Sequence, residues 1–236
     1  MEEKEEKNIE VEDDKEYQFK KEMHIIAIIS LFLIIIVLLY LILLGSINQP
    51  IEMATKPIIY LYPEQETEVT LELKDISILT HTYPTYSSEG WNVLAKPNGD
   101  LIDLNTGRNL YSLYWEGKND TKLDMSVGFV IEGRDTISFL EEKLALLGLS
   151  QREANEFIIY WLPQMENNKY NFIYFVQTEE MNEYMPLEVT PAPDTSIRIL
   201  MKFKALDKYI EVKEQEIKTP ERKGFVLVEW GGTKYE

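Results

Sequence analysis

The sequence contains no cysteine and only two histidines among its 236 residues. Without cysteine, disulfides, thiolate metal sites and a cysteine nucleophile are excluded. The two histidines, His24 and His81, do not suffice for a histidine metal site, and no nucleophile-elbow sequence accompanies any serine. A Walker A sequence and a Gly-x-Gly-x-x-Gly sequence are also missing. We therefore expect neither a metal nor a cofactor.

Positive charge is scarce, because 24 Lys and Arg residues face 41 Asp and Glu residues, for a net charge of −17. An acidic surface of this kind repels nucleic acid, so nucleic acid is excluded as a partner. Residues 1–22 alone carry five Lys and Arg against ten Asp and Glu, with few apolar residues. This composition predicts a disordered acidic tail.

Charge is entirely lacking from Ile25 to Leu44, a run of 20 residues rich in Ile and Leu. As a helix this run covers about 30 Å, the thickness of the hydrocarbon core of a bilayer. A cleaved signal peptide has a shorter apolar core and a small-residue cleavage site, and residues 45–50 offer no such site. We predict an uncleaved transmembrane helix over residues 23–45, in contact with the lipid bilayer.

The flanking cations predict the orientation of this helix. Lys20 and Lys21 precede the apolar run, whereas the first cation after it is Lys56. Lys and Arg are enriched on the cytoplasmic side of membrane helices. We expect a single-pass protein of the cell membrane with residues 1–22 in the cytoplasm. A linker over residues 46–55 and an extracytoplasmic β-rich domain over residues 56–236 would follow.

Strand patterns dominate this domain. Residues 56–63 form an apolar β-branched and aromatic run between two prolines, and residues 68–73 alternate with period two. Turns with Pro, Asn and Gly separate the next strands into a meander. Those predicted strands cover residues 91–95, 100–104 and 109–115, and later ones cover 170–178, 187–190, 196–204 and 225–230.

Two helices interrupt the strands. Asp135 is placed to cap a helix that runs to Leu147. Ser150 and Glu153 form a capping-box pattern at the start of a second helix, which Pro163 should stop. The predicted fold class is α+β: one N-terminal transmembrane helix, then a mainly antiparallel, sandwich-like β domain with an inserted helical hairpin.

Carboxylates are the remaining candidates for chemistry. Glu116, Glu132 and Glu229 stand beside aromatic residues or at the ends of predicted elements. Glycoside hydrolysis needs two carboxyl groups at a defined separation, which a sequence does not supply. Solvation at strand ends, or ordinary ion pairs with Arg134 or Arg108, is the favoured explanation for these glutamates, because no catalytic motif accompanies them. We assign no catalytic residue.

Aromatic residues are the best candidates for binding. Fourteen Tyr and four Trp are present. Exposed rings in an outward-facing domain stack on sugars or anchor a protein partner, whereas alternation along strands buries every second ring in the core. The binding candidates are Trp91, Tyr114, Trp115, Trp161 and Trp230.

Several motifs occur in a fixed order: Lys-Pro-x-Ile-Tyr-Leu-Tyr-Pro from Lys56, Tyr-Trp-Glu-Gly from Tyr114, Glu-Ala-Asn-Glu-Phe from Glu153 leading to Tyr-Trp-Leu-Pro, and Glu-Trp-Gly-Gly from Glu229. As an ordered set they resemble an uncharacterised family of exported prokaryotic domains. The resemblance covers about residues 56–233. It implies an outward location and a single domain, and it implies no activity.

The leading hypothesis is therefore a membrane-anchored, surface-displayed binding domain whose partner is a glycan or a protein outside the cell. One alternative is a carboxylate-dependent hydrolase acting on cell-wall or extracellular glycan. Another is a structural accessory subunit of a membrane complex, although the apolar run lacks a Gly-x-x-x-Gly face. Paired carboxylates in an aromatic cleft would favour the hydrolase.

Overall fold

The computed structural model describes residue 21 and residues 23–41, 52–119 and 122–235, which belong to two compact units divided after Pro50. In the first unit, helix α1 (Met23–Leu41) is long and apolar enough to cross a membrane. Its 19 residues span about 28 Å. Three predicted segments lie outside the described residues: the end of the predicted span at residues 42–45, most of the linker, and the acidic tail. Lys21, which is helical, is the exception in the tail.

The second unit is a β-rich domain with three helices. Its first strand starts at Glu52, inside the predicted linker, so the domain begins four residues earlier than expected. The strands are β1 (Glu52–Tyr62), β2 (Thr67–Leu73), β3 (Leu79–Tyr83), β4 (Trp91–Ala95), β5 (Leu101–Asp103), β6 (Asn109–Leu110), β7 (Leu113–Asn119), β8 (Val127–Glu132), β9 (Tyr170–Val176), β10 (Leu187–Thr190), β11 (Thr195–Leu206), β12 (Lys213–Glu214) and β13 (Val226–Tyr235). The helices are α2 (Thr136–Leu146), α3 (Gln151–Met165) and α4 (Thr178–Tyr184).

Two sheets pack against each other, which confirms the predicted sandwich-like α+β fold. The larger sheet has the strand order β12-β8-β9-β11-β13-β1-β7-β3, and the smaller has the order β10-β2-β4-β5-β6. Most neighbours are antiparallel, but β11 and β13 run parallel at the centre of the larger sheet over ten residue pairs. One hydrophobic core lies between the sheets, and a second lies between the larger sheet and the α2–α3 hairpin.

Strand β1 is buried on both faces, which explains its unbroken apolar run. Ile58 and Tyr60 face the helical hairpin, whereas Ile59 and Leu61 face the smaller sheet. The pairing of β1 shifts register on both sides just before Ile58. Pro57 lies in this irregularity, where its missing N–H costs no ladder hydrogen bond.

The predicted inserted hairpin is present, and it connects the paired strands β8 and β9, of which β8 was not predicted. The capping box of α3 is confirmed, because the Ser150 and Glu153 side chains each accept a hydrogen bond from the other residue's backbone N–H. Two expectations are wrong. Asp135 precedes α2 but makes no capping hydrogen bond, and α3 continues through Pro163 to Met165. Pro163 lies in the last turn of α3, and the helix ends two residues after it.

Candidate functional site

The four predicted binding tryptophans all lie in the interior. Trp91 and Trp115 belong to the core between the sheets, and Trp161 and Trp230 belong to the core under the helical hairpin. Each has an exposed fraction of 2% or less. All four tryptophans are therefore core residues, which was the alternative explanation for rings on alternating strands. Tyr114 alone is half-buried, and its side chain reaches the surface beside α3.

The three candidate glutamates are not brought together. Glu116 and Trp115 are neighbours on β7, so their side chains point to opposite faces of the larger sheet. Glu229 accepts a hydrogen bond from Trp115 Nε1 at 2.7 Å and therefore lies on the face away from Glu116. Glu132 is at the end of β8, where it pairs with Arg134 at 2.8 Å on the surface. No two of these glutamates form a catalytic pair.

Glu229 belongs to a buried ion pair. Arg198 Nε donates to Glu229 Oε2 at 2.6 Å, and Arg198 Nη1 donates to Asn182 Oδ1 at 2.7 Å. The exposed fractions are 1% for Arg198 and 0% for Glu229. Both side chains are enclosed by the domain, so the pair is placed to stabilise the interior.

A cluster of tyrosines that ranges from the buried Tyr60 to the exposed Tyr111 forms where α3 crosses β1 and β7. We define the tyrosine cluster by its rings and by the charged side chains that contact them. The rings are Tyr60, Tyr62, Tyr111, Tyr114 and Tyr160, and the charged residues are Lys56, Glu116, Arg152, Glu153, Glu156 and Arg222. Three cations and three carboxylates therefore surround five tyrosine rings.

Local periodicity explains why these residues meet. Tyr60 and Tyr62 are at even positions in the regular part of β1, which face α3, and Lys56 reaches the same side from the irregularity before Ile58. Along α3, Arg152, Glu156 and Tyr160 follow one another at spacings of four, and Glu153 is three positions before Glu156, so these side chains lie on neighbouring parts of the helix surface. The sequence motifs that begin at Lys56, Tyr114 and Glu153 thus converge on one surface.

Lys56 lies at one end of the cluster in a left-handed backbone conformation, with φ of 56°, which is unusual for a residue with a side chain. Its backbone N–H donates to Glu116 Oε1 at 3.3 Å. Its Nζ is 4.4 Å from the ring centroid of Tyr160 and 5.8 Å from that of Trp230. Burial lowers the pKa of the Lys56 ammonium, and the nearby Glu156 carboxylate opposes that shift.

Tyr60 lies in the middle of the cluster. Its hydroxyl donates to Glu156 Oε2 at 2.6 Å, and its ring stacks on Tyr62 with 6.3 Å between centroids. Burial, followed by the hydrogen bond to Glu156, raises the pKa of the Tyr60 hydroxyl. Arg152 pairs with Glu156 at 3.6 Å and covers the ring of Tyr111 at 5.6 Å. These contacts hold the rings in fixed positions.

Arg222 lies at the end of the tyrosine cluster opposite Lys56. Its Nη1 and Nη2 donate to the two carboxylate oxygens of Glu153 at 2.9 and 3.1 Å, and its guanidinium lies 5.3 Å from the ring centroid of Tyr62. Burial alone would raise the pKa of Glu153, but the hydrogen bonds from Arg222 and from the Ser150 N–H outweigh it, so the pKa is lowered. Glu153 therefore caps α3 and anchors the cluster at the same time.

The cluster offers ring faces and hydrogen-bonding groups at the surface. Tyr111 is 47% exposed, Arg152 is exposed, and Lys56, Tyr114 and Tyr160 are half-buried. Sequence reasoning singled out Tyr114 and Glu116 but missed the three cations and Glu156. The i,i+4 spacing of Arg152 and Glu156 was the available signal.

Metal chemistry has no support in the described part of the chain, where no group of three or more His, Asp or Glu side chains is placed to hold an ion. Comparisons of the sequence with protein-family models, with curated proteins and with solved structures find no match.

Proposed function

We propose that this chain is a membrane-anchored binding domain that recognises a neutral oligosaccharide through the tyrosine cluster. The observation that carries the proposal is the cluster itself: charged side chains hold five tyrosine rings in place, and four of these rings reach the surface while that of Tyr60 is buried beneath them. The domain that carries the cluster follows a membrane-competent helix. Tyrosine combines an apolar ring face with a polar tip, and a sugar ring presents the same two kinds of surface.

The charge balance of the cluster favours a neutral ligand. Lys56, Arg152 and Arg222 offset the three carboxylates, so neither an anion nor a cation gains from the local field. Carboxylates and guanidinium groups also supply acceptors and donors for sugar hydroxyls. A neutral oligosaccharide uses both the rings and these groups.

The test uses the full chain in lipid nanodiscs against cellotetraose, maltotetraose and chitotetraose, measured by calorimetry. We expect saturable binding of at least one of these probes. Tyr111→Ala should weaken that binding about tenfold, which corresponds to about 1.4 kcal/mol for one lost ring contact. Tyr111 is half-exposed, so its removal should leave the domain folded.

Tyr209→Ala is the matched control, because Tyr209 is 60% exposed and lies outside the cluster. It should bind the probe as the parent chain does. Equal losses in the two variants, or no binding of any probe, would overturn the proposal. A different outcome would favour the hydrolase alternative over the binding proposal. In that outcome the parent chain releases shorter sugars from a probe, and Glu116→Gln or Glu156→Gln abolishes the release, since both carboxylates belong to the cluster.

For α1 we propose an uncleaved anchor with the domain outside the cytoplasm. Lys20 and Lys21 before the helix, with no cation after it until Lys56, support this direction. The chain has no cysteine, so single cysteines report position without background. In intact bacterial cells that express the protein, a membrane-impermeant maleimide should label Lys208→Cys and leave Glu5→Cys unlabelled.

The reverse labelling pattern would contradict the orientation, and a labelled chain that has lost its first 45 residues in mass spectrometry would contradict the anchor. Labelling of Glu5→Cys only after the cells are permeabilised is the positive control.

A further inference from the structure

A cavity of about 360 Å³ lies on the face of the larger sheet that points away from the helical hairpin. Strands β9 and β11 provide Tyr174 and Lys202, which are paired in register. Helix α4 provides Glu180 and Tyr184, and the segment before β8 provides Lys122 and Asp124. We call this the Lys202 cavity and define it by these six residues.

Lys202 is the unusual member of this cavity. It follows Arg198 and Leu200 on the same face of β11, and its exposed fraction is 3%. Its Nζ lies 5.1 Å from the ring centroid of Tyr184. Within residues 52–119 and 122–235, no carboxylate oxygen lies within 4.0 Å of that Nζ. Buried charges in proteins are ordinarily paired, and no described carboxylate forms an ion pair with this ammonium.

Glu180 is the carboxylate whose field acts on Lys202. Its Oε2 accepts a hydrogen bond from the Tyr174 hydroxyl at 2.8 Å. Burial lowers the pKa of Lys202, and the field of Glu180 opposes that shift, so the two groups interact without forming an ion pair. An ammonium and a carboxylate thus line the same cavity and are not in contact with each other.

From this arrangement we infer that the Lys202 cavity binds a small zwitterion, whose carboxylate pairs with Lys202 and whose cationic amine pairs with Glu180. A simple anion would meet Glu180 and Asp124, and a simple cation would meet Lys202 and Lys122. A zwitterion satisfies both signs at once. Its carboxylate would also give the Lys202 ammonium a direct counter-ion, which no described residue provides.

The size of the cavity supports a small molecule. Its volume is at the lower end of the 300–1,000 Å³ that is usual for ligand pockets. Tyr174 and Tyr184 add ring surface and hydroxyl groups along the wall. A free amino acid or an ω-amino acid fits this description, and the inference is independent of the oligosaccharide proposed for the tyrosine cluster.

The test measures binding to the full chain in nanodiscs by calorimetry. The probes are the protein amino acids and the series glycine, β-alanine, 4-aminobutyrate and 5-aminovalerate. Each probe is compared with two analogues: the carboxylic acid that lacks the amino group, and the amine that lacks the carboxyl group. We expect at least one zwitterion to bind, with its acid and its amine at least about tenfold weaker. No zwitterion binding at millimolar concentration, or an acid or amine that binds equally well, would overturn the inference.

Three variants make the test specific. Lys202→Met should reduce zwitterion affinity at least about tenfold, whereas Lys208→Met, at an exposed lysine outside the cavity, should leave it unchanged. Glu180→Gln keeps an acceptor for Tyr174 and should reverse the preference, so that the acid binds more tightly than the zwitterion. A purely structural role for Glu180 would weaken all probes alike and would contradict the inference.

Discussion

Glu229→Gln should destabilise the domain by about 3–5 kcal/mol, although the substitution changes neither size nor shape. The side chain of Glu229 is fully buried, and it accepts hydrogen bonds from Arg198 and Trp115 at 2.6 and 2.7 Å. Glutamine preserves an acceptor for Trp115 but leaves the Arg198 guanidinium as an uncompensated buried charge. The desolvation cost of that charge explains the size of the expected effect.

Urea unfolding of the full chain in detergent, followed by tryptophan fluorescence, measures this loss. All four tryptophans are buried in the domain, so each reports on its unfolding. The surface pair supplies the control: Glu132→Gln should cost less than about 1 kcal/mol, because exposed ion pairs contribute little. The double variant Arg198→Met/Glu229→Gln should recover much of the loss, since it removes the unpaired charge. A similar cost for Glu229→Gln and Glu132→Gln would contradict this account.

Gly232→Ala should cost about 1–3 kcal/mol through overpacking. A methyl group on Gly232 would overlap the indole of Trp161 and approach the Met201 carbonyl oxygen to 2.9 Å. Trp161 is 1% exposed and packs between Phe157 and Phe203, so it has no space into which to move. The second glycine of the Glu-Trp-Gly-Gly motif is therefore required by the helix packed above it.

A double-mutant cycle in urea tests this explanation. Trp161→Phe removes the overlapping atoms, so Gly232→Ala should cost clearly less in the Trp161→Phe background than in the parent chain. Equal costs in the two backgrounds would show that the methyl group and the indole do not compete for the same space.

Regular local patterns explain which parts of the fold the sequence predicts. Strands β4 and β10 occupy the predicted residues, and the capping box marks the start of α3. Helix α4 and strand β8 were missed. Helix α4 has seven residues, of which only Met181 is buried, and β8 carries Gly128 near its start. Segments this short acquire their structure from tertiary packing rather than from periodicity.

The candidate site shows the same limit. Period-two alternation places Tyr114 and Trp115 on opposite faces of β7 but does not reveal how many faces of a strand are covered. Both faces of the larger sheet are covered here, so the tryptophans became core residues while the tyrosines beside α3 stayed near the surface. Arg222 and Glu153 are 69 positions apart, and no local pattern predicts their contact.

The strand order of the larger sheet also determines when the domain acquires its structure during synthesis. Strand β1 is the first of the domain to be made, and in the finished sheet it lies between β7 and β13. Its pairing with β13 joins Thr55 to Gly232. The two hydrogen-bond ladders that β13 forms, with β1 and with β11, therefore cannot form until residues 226–235 have been synthesised. Such non-local pairing folds slowly, so β1 stays without its β13 partner, and open to chaperones and proteases, until the synthesis of the domain is nearly complete.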